Sequence, residues 1–141
     1  PVGGGGLIAG IALAIKEQRP EVRIVGVEPE GAAAMTRALA AGHPEPLDSV
    51  RTIADGLAAP FASELTLALA RRYVDEVVLV SDEEIAAALG LILERCKLVA
   101  EPAAAAGIAA LLARRCGLAD GARTVTVLSG GNIDRALLTD V

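Results

Sequence analysis

The sequence predicts an α/β fold, with a mostly parallel sheet and flanking helices. Three observations carry that prediction. Short β-branched runs ("EVRIVGVEPE", "DEVVLV", "TVTVL") alternate with longer stretches whose apolar residues recur at helical spacing. The helical stretches open on helix-start chemistry, with Ser63 as an N-cap, Ser81 and Glu84 as a capping box, and Pro102 in a first turn. Two glycine loops, Gly3–Gly6 and Gly130–Gly131, follow the predicted strand ends "PV" and "TVTVL". Open α/β sheets bind their ligands at such ends.

The elements follow in order. "PV" reads as the last residues of a strand, and "LIAGIALAIKEQRP" as a helix stopped by Pro20. "EVRIVGVEPE" is a buried strand. "GAAAMTRALAAG" is a helix ended by Gly42 and the proline-rich "HPEP". "VRTIADGLAAPF" reads as loop and turn, "SELTLALARRYV" as a helix and "DEVVLV" as a short strand. Two helices, "SDEEIAAALGLILERC" and "EPAAAAGIAALLARRC", come next, followed by strand "TVTVL", the loop "SGGN" and a closing helix "IDRALLTDV". There are no internal repeats.

Composition narrows the function classes. The chain of 141 residues carries a formal charge of −5, one Tyr, one Phe and no Trp, which argues against nucleic-acid and anionic-membrane partners. Its apolar runs fall short of the ~20 residues that span a bilayer. No charged segment precedes an apolar one in the manner of a signal peptide, so the expected location is the cytoplasm. Cys96 and Cys116 lack metal-ligand spacing and are expected to be reduced core thiols. Hydrophobic residues make up 53% of the chain, high for a small acidic domain. These elements are therefore expected to belong to a larger core, of which this chain supplies part.

Four consecutive glycines offer no side chain to bury and give up backbone entropy on ordering. Between a strand end and a helix start they let several N–H groups converge on an anion, and the helix terminus adds ~0.5 of a positive charge. A phosphate is the natural guest. A tight turn without a ligand is the alternative. Gly4, Gly6 and Ala9 also satisfy a dinucleotide-binding pattern, with Glu28 at the next strand end in the place of the ribose-binding acid. The second loop argues against that rival. It puts Ser129, Gly130, Gly131 and Asn132 at another strand end, where both loops can face one crevice.

"PVGGGGL", "VGVEPEGA", "TIADGLA", "LVAEPAAAAGIAAL" and "VLSGGNID" stand in this order along the chain. In this the chain resembles the pyridoxal-phosphate enzymes of fold type II, most of all the serine/threonine dehydratases and serine racemase. The resemblance implies that residues 1–141 are the C-terminal part of the large cofactor-binding domain, without the small domain. It implies that Gly3, Gly4, Gly5, Gly6 and the amide of Leu7 cradle the phosphate of pyridoxal 5'-phosphate. It also implies that the Ser129 hydroxyl meets the pyridine nitrogen. A hydroxyl is too weak an acid to keep that nitrogen protonated, which suits β-elimination. Gly56, beside Asp55, and Glu101 resemble residues near the ring; an ordinary Asp-Gly turn and a helix-start acid are the alternatives.

The implied reaction is deamination of L-threonine or L-serine to a 2-oxo acid and ammonia. Serine racemase activity is the alternative within the family, and a Rossmann-like dinucleotide module the alternative outside it. The resemblance also implies partners: an amino-acid substrate, the N-terminal part of the same enzyme, and further copies in a dimer or tetramer.

Two departures stand out. The family's cofactor-bearing lysine lies upstream of the tetraglycine. Neither Lys16, late on the first helix, nor Lys97, between two helices, has its context, so the chain alone is expected to be inactive. The family's divalent-cation site (Mg, Mn or Ca) would use Glu28 and the carbonyl of Ala32, but its third position is Ala34. Losing that carboxylate implies a weakened or absent site. His43, in a proline-flanked loop, is expected to be solvated and uninvolved.

Overall fold

The computed structural model describes residues 1–139. It contains α1 (Gly6–Lys16), β1 (Val25–Pro29), α2 (Ala34–Ala41), α3 (Glu64–Tyr73), β2 (Glu76–Val80), α4 (Asp82–Leu91), α5 (Pro102–Leu112) and α6 (Arg135–Thr139). The expected closing helix forms over α6, and its last two residues lie outside the described residues. Short 3-10 turns occupy Glu30–Ala32 and Asp55–Leu57.

β1 and β2 pair in parallel, from Val25 opposite Glu76 to Pro29 opposite Val80. Parallel strands need covered faces, and this pair has helices on each side. Val27 and Val80 join Ile85, Leu89, Ile92 and the alanines of α5 in one core cluster. Val2, Ile8, Ala12, Ile24, Met35, Ala38 and Leu67 form a second cluster with α1, α2 and α3. In α5 eight of the eleven residues are buried, six of them alanine, which lets α4 and the strands approach its backbone closely.

The helix ends follow their local chemistry. The Ser63 hydroxyl accepts the Thr66 N–H at 3.2 Å. Ser81 and Glu84 complete a reciprocal capping box, and Pro102 opens α5 from its first turn. α5 stops at Leu112, before the expected "ARRC", because Arg114 turns left-handed (φ 55°). The Arg114 N–H then donates to Leu111 O and the Arg115 N–H to Ala110 O, a Schellman-type closure. α4 passes into a π turn over Ile92–Cys96, and left-handed Lys97 (φ 59°) ends it.

Two expectations are corrected. "TVTVL" is not a strand: residues 124–128 pair with no other strand among the described residues. A ladder needs a neighbour, and a groove of about 700 Å³ lies along this stretch, lined by Val125 and Val127 on one side and by Ile8, Val25 and Val27 on the other. The unpaired edge of β1 receives only one rung there, from the Val2 N–H to Val27 O at 2.8 Å. Val125 is accordingly 93% exposed. The second correction concerns Cys96, which lies on an exposed turn; only Cys116 is a buried thiol, and both are free. No helix among the described residues is long and apolar enough to cross a membrane.

Candidate functional site

The four glycines bend the chain from the edge of β1 into α1. Gly5 is the N-cap of α1 with a left-handed backbone (φ 89°) and no side-chain cap. The Thr66 hydroxyl donates to Gly4 O at 2.8 Å, tying the loop to the start of α3. Packing explains two of the glycines. A Cβ on Gly3 would fall 3.2 Å from the Leu57 Cα, and one on Gly5 would fall 2.5 Å from Met35 Cε. It does not explain the other two. Nothing lies within 4 Å of a Cβ on Gly6, and only Ala59 and Phe61, both at 3.9 Å, approach one on Gly4. The first-turn N–H groups of Gly6, Leu7 and Ile8 find no acceptor among the described residues. This is bare backbone with its donors free, at the positive end of a helix of 11 residues.

A cavity of about 180 Å³ opens over these amides, lined by Gly3, Gly4, Gly5, Gly6, Leu7, Gly56, Glu101 and Ser129, with Leu57 and Ala103 beneath. Glu101 joins the separate pieces. Its N–H donates to Gly130 O at 3.1 Å, and its carboxylate accepts the Asn132 N–H at 3.2 Å. A Cβ on Gly130 would collide with that carboxylate, and one on Gly56 would sit 3.1 Å from its Oε1. The second glycine pair therefore lets residues 130–132 wrap the start of α5 and carry Ser129 to the cavity wall. The Ser129 hydroxyl has no hydrogen-bond partner among the described residues and is free to meet a ligand.

Other candidates lie elsewhere. Lys16 pairs with Asp75 at 2.8 Å, and exposed Lys97 donates to Glu94 O at 2.7 Å; neither lines the cavity. His43 is exposed beside Pro44, and Asp55 is exposed next to Gly56. Glu28 is fully buried. Its carboxylate accepts the Met35 N–H at 2.6 Å, the Thr36 N–H at 2.8 Å and the Thr36 hydroxyl at 2.6 Å. Burial pushes its pKa up, against the pull of those hydrogen bonds.

These donors do not fit a divalent cation. Both Glu28 oxygens already serve α2, Ala34 supplies no side-chain oxygen, and no group of three His, Cys, Asp or Glu among the described residues could hold a metal. Nor does Glu28 reach outward as a ribose-binding acid would.

Residues 1–130 match the family described as pyridoxal-phosphate dependent enzyme. The chain belongs to that family. It is 46% identical over 134 residues to an L-threonine ammonia-lyase of Thermotoga maritima, covering 95% of this chain and 33% of that protein. Among solved structures it resembles the processed form of threonine deaminase isoform 2 from Solanum lycopersicum, with TM-score 0.91 and 38% identity over 99% of this chain and 41% of the other. It also resembles maize serine racemase, with TM-score 0.87 and 39% identity over 99% of this chain and 44% of the other. The chain spans between a third and a half of the length of these relatives. Enzymes of the family use pyridoxal 5'-phosphate, and the dinucleotide alternative finds no support beside them.

The cavity suits that cofactor. Open space above Gly4 and Gly6 leaves room for a phosphate against free N–H groups, and the neutral Ser129 hydroxyl stands on the same cavity. Sequence reasoning missed the residues that support the loop, Met35 and Thr66. Nothing in the local pattern of α2 or α3 marks either as a neighbour of the glycines.

Proposed function

We propose that this chain forms the C-terminal part of the cofactor-binding domain of a serine/threonine dehydratase. In this reading Gly3, Gly4, Gly5, Gly6 and the Leu7 amide hold the cofactor phosphate, Ser129 hydrogen-bonds the pyridine nitrogen, and Gly56 and Glu101 border the ring. The observation that carries the reading is the convergence of Gly3–Gly6 and of Ser129, from the second glycine loop, on one cavity. Free N–H groups at a helix start meet an unpartnered hydroxyl there.

The bound cofactor supplies the electron sink for carbanion chemistry. The chain's own residues bind and orient it. The phosphate accepts from amides that no side chain shields. Ser129 can share a hydrogen bond with the nitrogen but cannot lend it a full charge, which keeps the sink moderate. A moderate sink suits loss of a β-hydroxyl, where negative charge on Cα need not persist. The net reaction is L-threonine or L-serine to a 2-oxo acid and ammonia; the water lost in elimination is regained in hydrolysis. The proton-abstracting lysine and the loop that grips the substrate carboxylate come from a segment outside this chain. That segment, in our reading, also fills the groove along β1. The working enzyme is a cytoplasmic homo-oligomer.

The test is Ser129→Ala in the full-length enzyme. Cofactor affinity and 2-oxo acid release should both fall while the circular-dichroism spectrum is kept; unchanged turnover removes Ser129 from the site. This chain alone should show no visible cofactor band that borohydride traps, and addition of the lysine-bearing segment should create one. Threonine ammonia-lyase relatives at 46% and 51% identity favour elimination over racemisation. Release of 2-oxo acid is therefore expected to exceed formation of the D-amino acid.

A further inference from the structure

Glu28 is the one charged residue buried among the described residues, and the reading above gives it no task. Its three hydrogen bonds all go to the first turn of α2, a helix whose N-cap, Ala33, has no side chain able to cap it. The carboxylate at the end of β1 thus serves as the cap from outside the helix, where the helix dipole favours negative charge. Charge-assisted N–H bonds of 2.6 and 2.8 Å are at the strong end of their range.

The first of those donors belongs to Met35. Its side chain is fully buried, and its Cε lies 2.5 Å from where a Cβ on Gly5 would be. Gly5 is the left-handed residue at which the loop turns into α1. A continuous line of contacts therefore runs from the end of β1, through Glu28 and the backbone of Met35, to the underside of the loop.

We propose that Glu28 is a positioning residue for the phosphate loop: it pins α2 to β1 so that the Met35 methyl braces Gly5, and the α2 N-terminus takes the place of a cation as the carboxylate's positive partner. The proposal rests on the reading that the loop holds a phosphate. Without the brace the loop can rotate at Gly5, and its amides no longer converge on one anion. Glycine's freedom makes such rotation inexpensive.

The test uses the full-length enzyme and three probes: pyridoxal phosphate, inorganic phosphate, and pyridoxal, which lacks the phosphate. Met35→Ala should weaken the first two about tenfold and leave pyridoxal unchanged, while Met35→Leu, close in volume, should restore both. Glu28→Gln replaces an acceptor with a donor facing the N–H groups. It should reproduce the Met35→Ala pattern, and the double variant should be no worse than either single one. Thermal stability of the wild type should not change with chelator or with added magnesium or calcium.

Equal losses for pyridoxal and its phosphate ester would reduce Met35 to a packing role and overturn the proposal. So would unchanged phosphate affinity, or stabilisation by a divalent cation. Should Glu28→Gln fail to fold, the two Met35 variants decide. Wild-type enzyme that binds neither phosphate probe refutes the functional reading itself, an outcome distinct from failure of the brace.

Discussion

Gly6→Ala separates a glycine kept for folding from one kept for a ligand. Gly6 is the first residue of α1, no heavy atom lies within 4 Å of an added Cβ, and its backbone is helical with no positive φ. Alanine fits that backbone and restricts the unfolded chain, so the fold should gain roughly 0.5–1 kcal/mol. In the proposed reading, the methyl group would stand where a phosphate oxygen approaches the first-turn amides. Losing one charge-assisted hydrogen bond costs roughly 1.5–3 kcal/mol of binding, which is about 10- to 150-fold in affinity. Stability and cofactor affinity should therefore move in opposite directions. The assays are urea unfolding and titration with pyridoxal phosphate in the full-length enzyme. A stabilised variant with undiminished affinity would mean that Gly6 faces no ligand. A destabilised one would reveal packing that the open space above Gly6 denies.

The other predictions concern the scaffold. Ser81→Ala removes the hydroxyl half of the capping box and should cost about 0.5–2 kcal/mol by urea unfolding; a cost near zero would mean that Glu84 caps α4 unaided. Ile85→Ala opens a cavity at a fully buried position between α4 and its neighbours and should cost about 2–5 kcal/mol. Asp75 is held below the usual carboxylate range first by the Ile24 N–H and then by Lys16. Its stabilisation is thus present above the unfolded value, about pH 4, and is lost as pH falls through the depressed folded value. Asp75→Asn should be less stable than wild type at pH 7, with a gap that closes in acid. A pH-independent gap would show that the charge on Asp75 does not matter.

Much of the local structure was legible in the sequence because its causes are local. Ser63 and Ser81 with Glu84 mark helix starts through atoms three residues away and form those caps, while Pro102 opens α5 from its first position through its own fixed φ. The β-branched run at Val25–Pro29 became a strand because β2 lies beside it. "TVTVL" has the same local character and found no neighbour, since a ladder depends on what stands next to a segment as well as on its own residues. Cys96 and Cys116 share helix-like surroundings in the sequence, yet only the second meets a core.

The helices, strands β1 and β2, the Ser63 and Ser81 caps and the bare backbone at Gly3–Gly6 could be read from local residues alone. Each follows from side chains acting on their own stretch of chain. Packing between distant elements set Ser129, Gly56 and Glu101 on one cavity with those glycines, and placed Met35 and Thr66 beneath them. It also decided that the Glu28 carboxylate turns inward to the first turn of α2. Those facts depend on distances between residues far apart in sequence, which are fixed only when the elements pack.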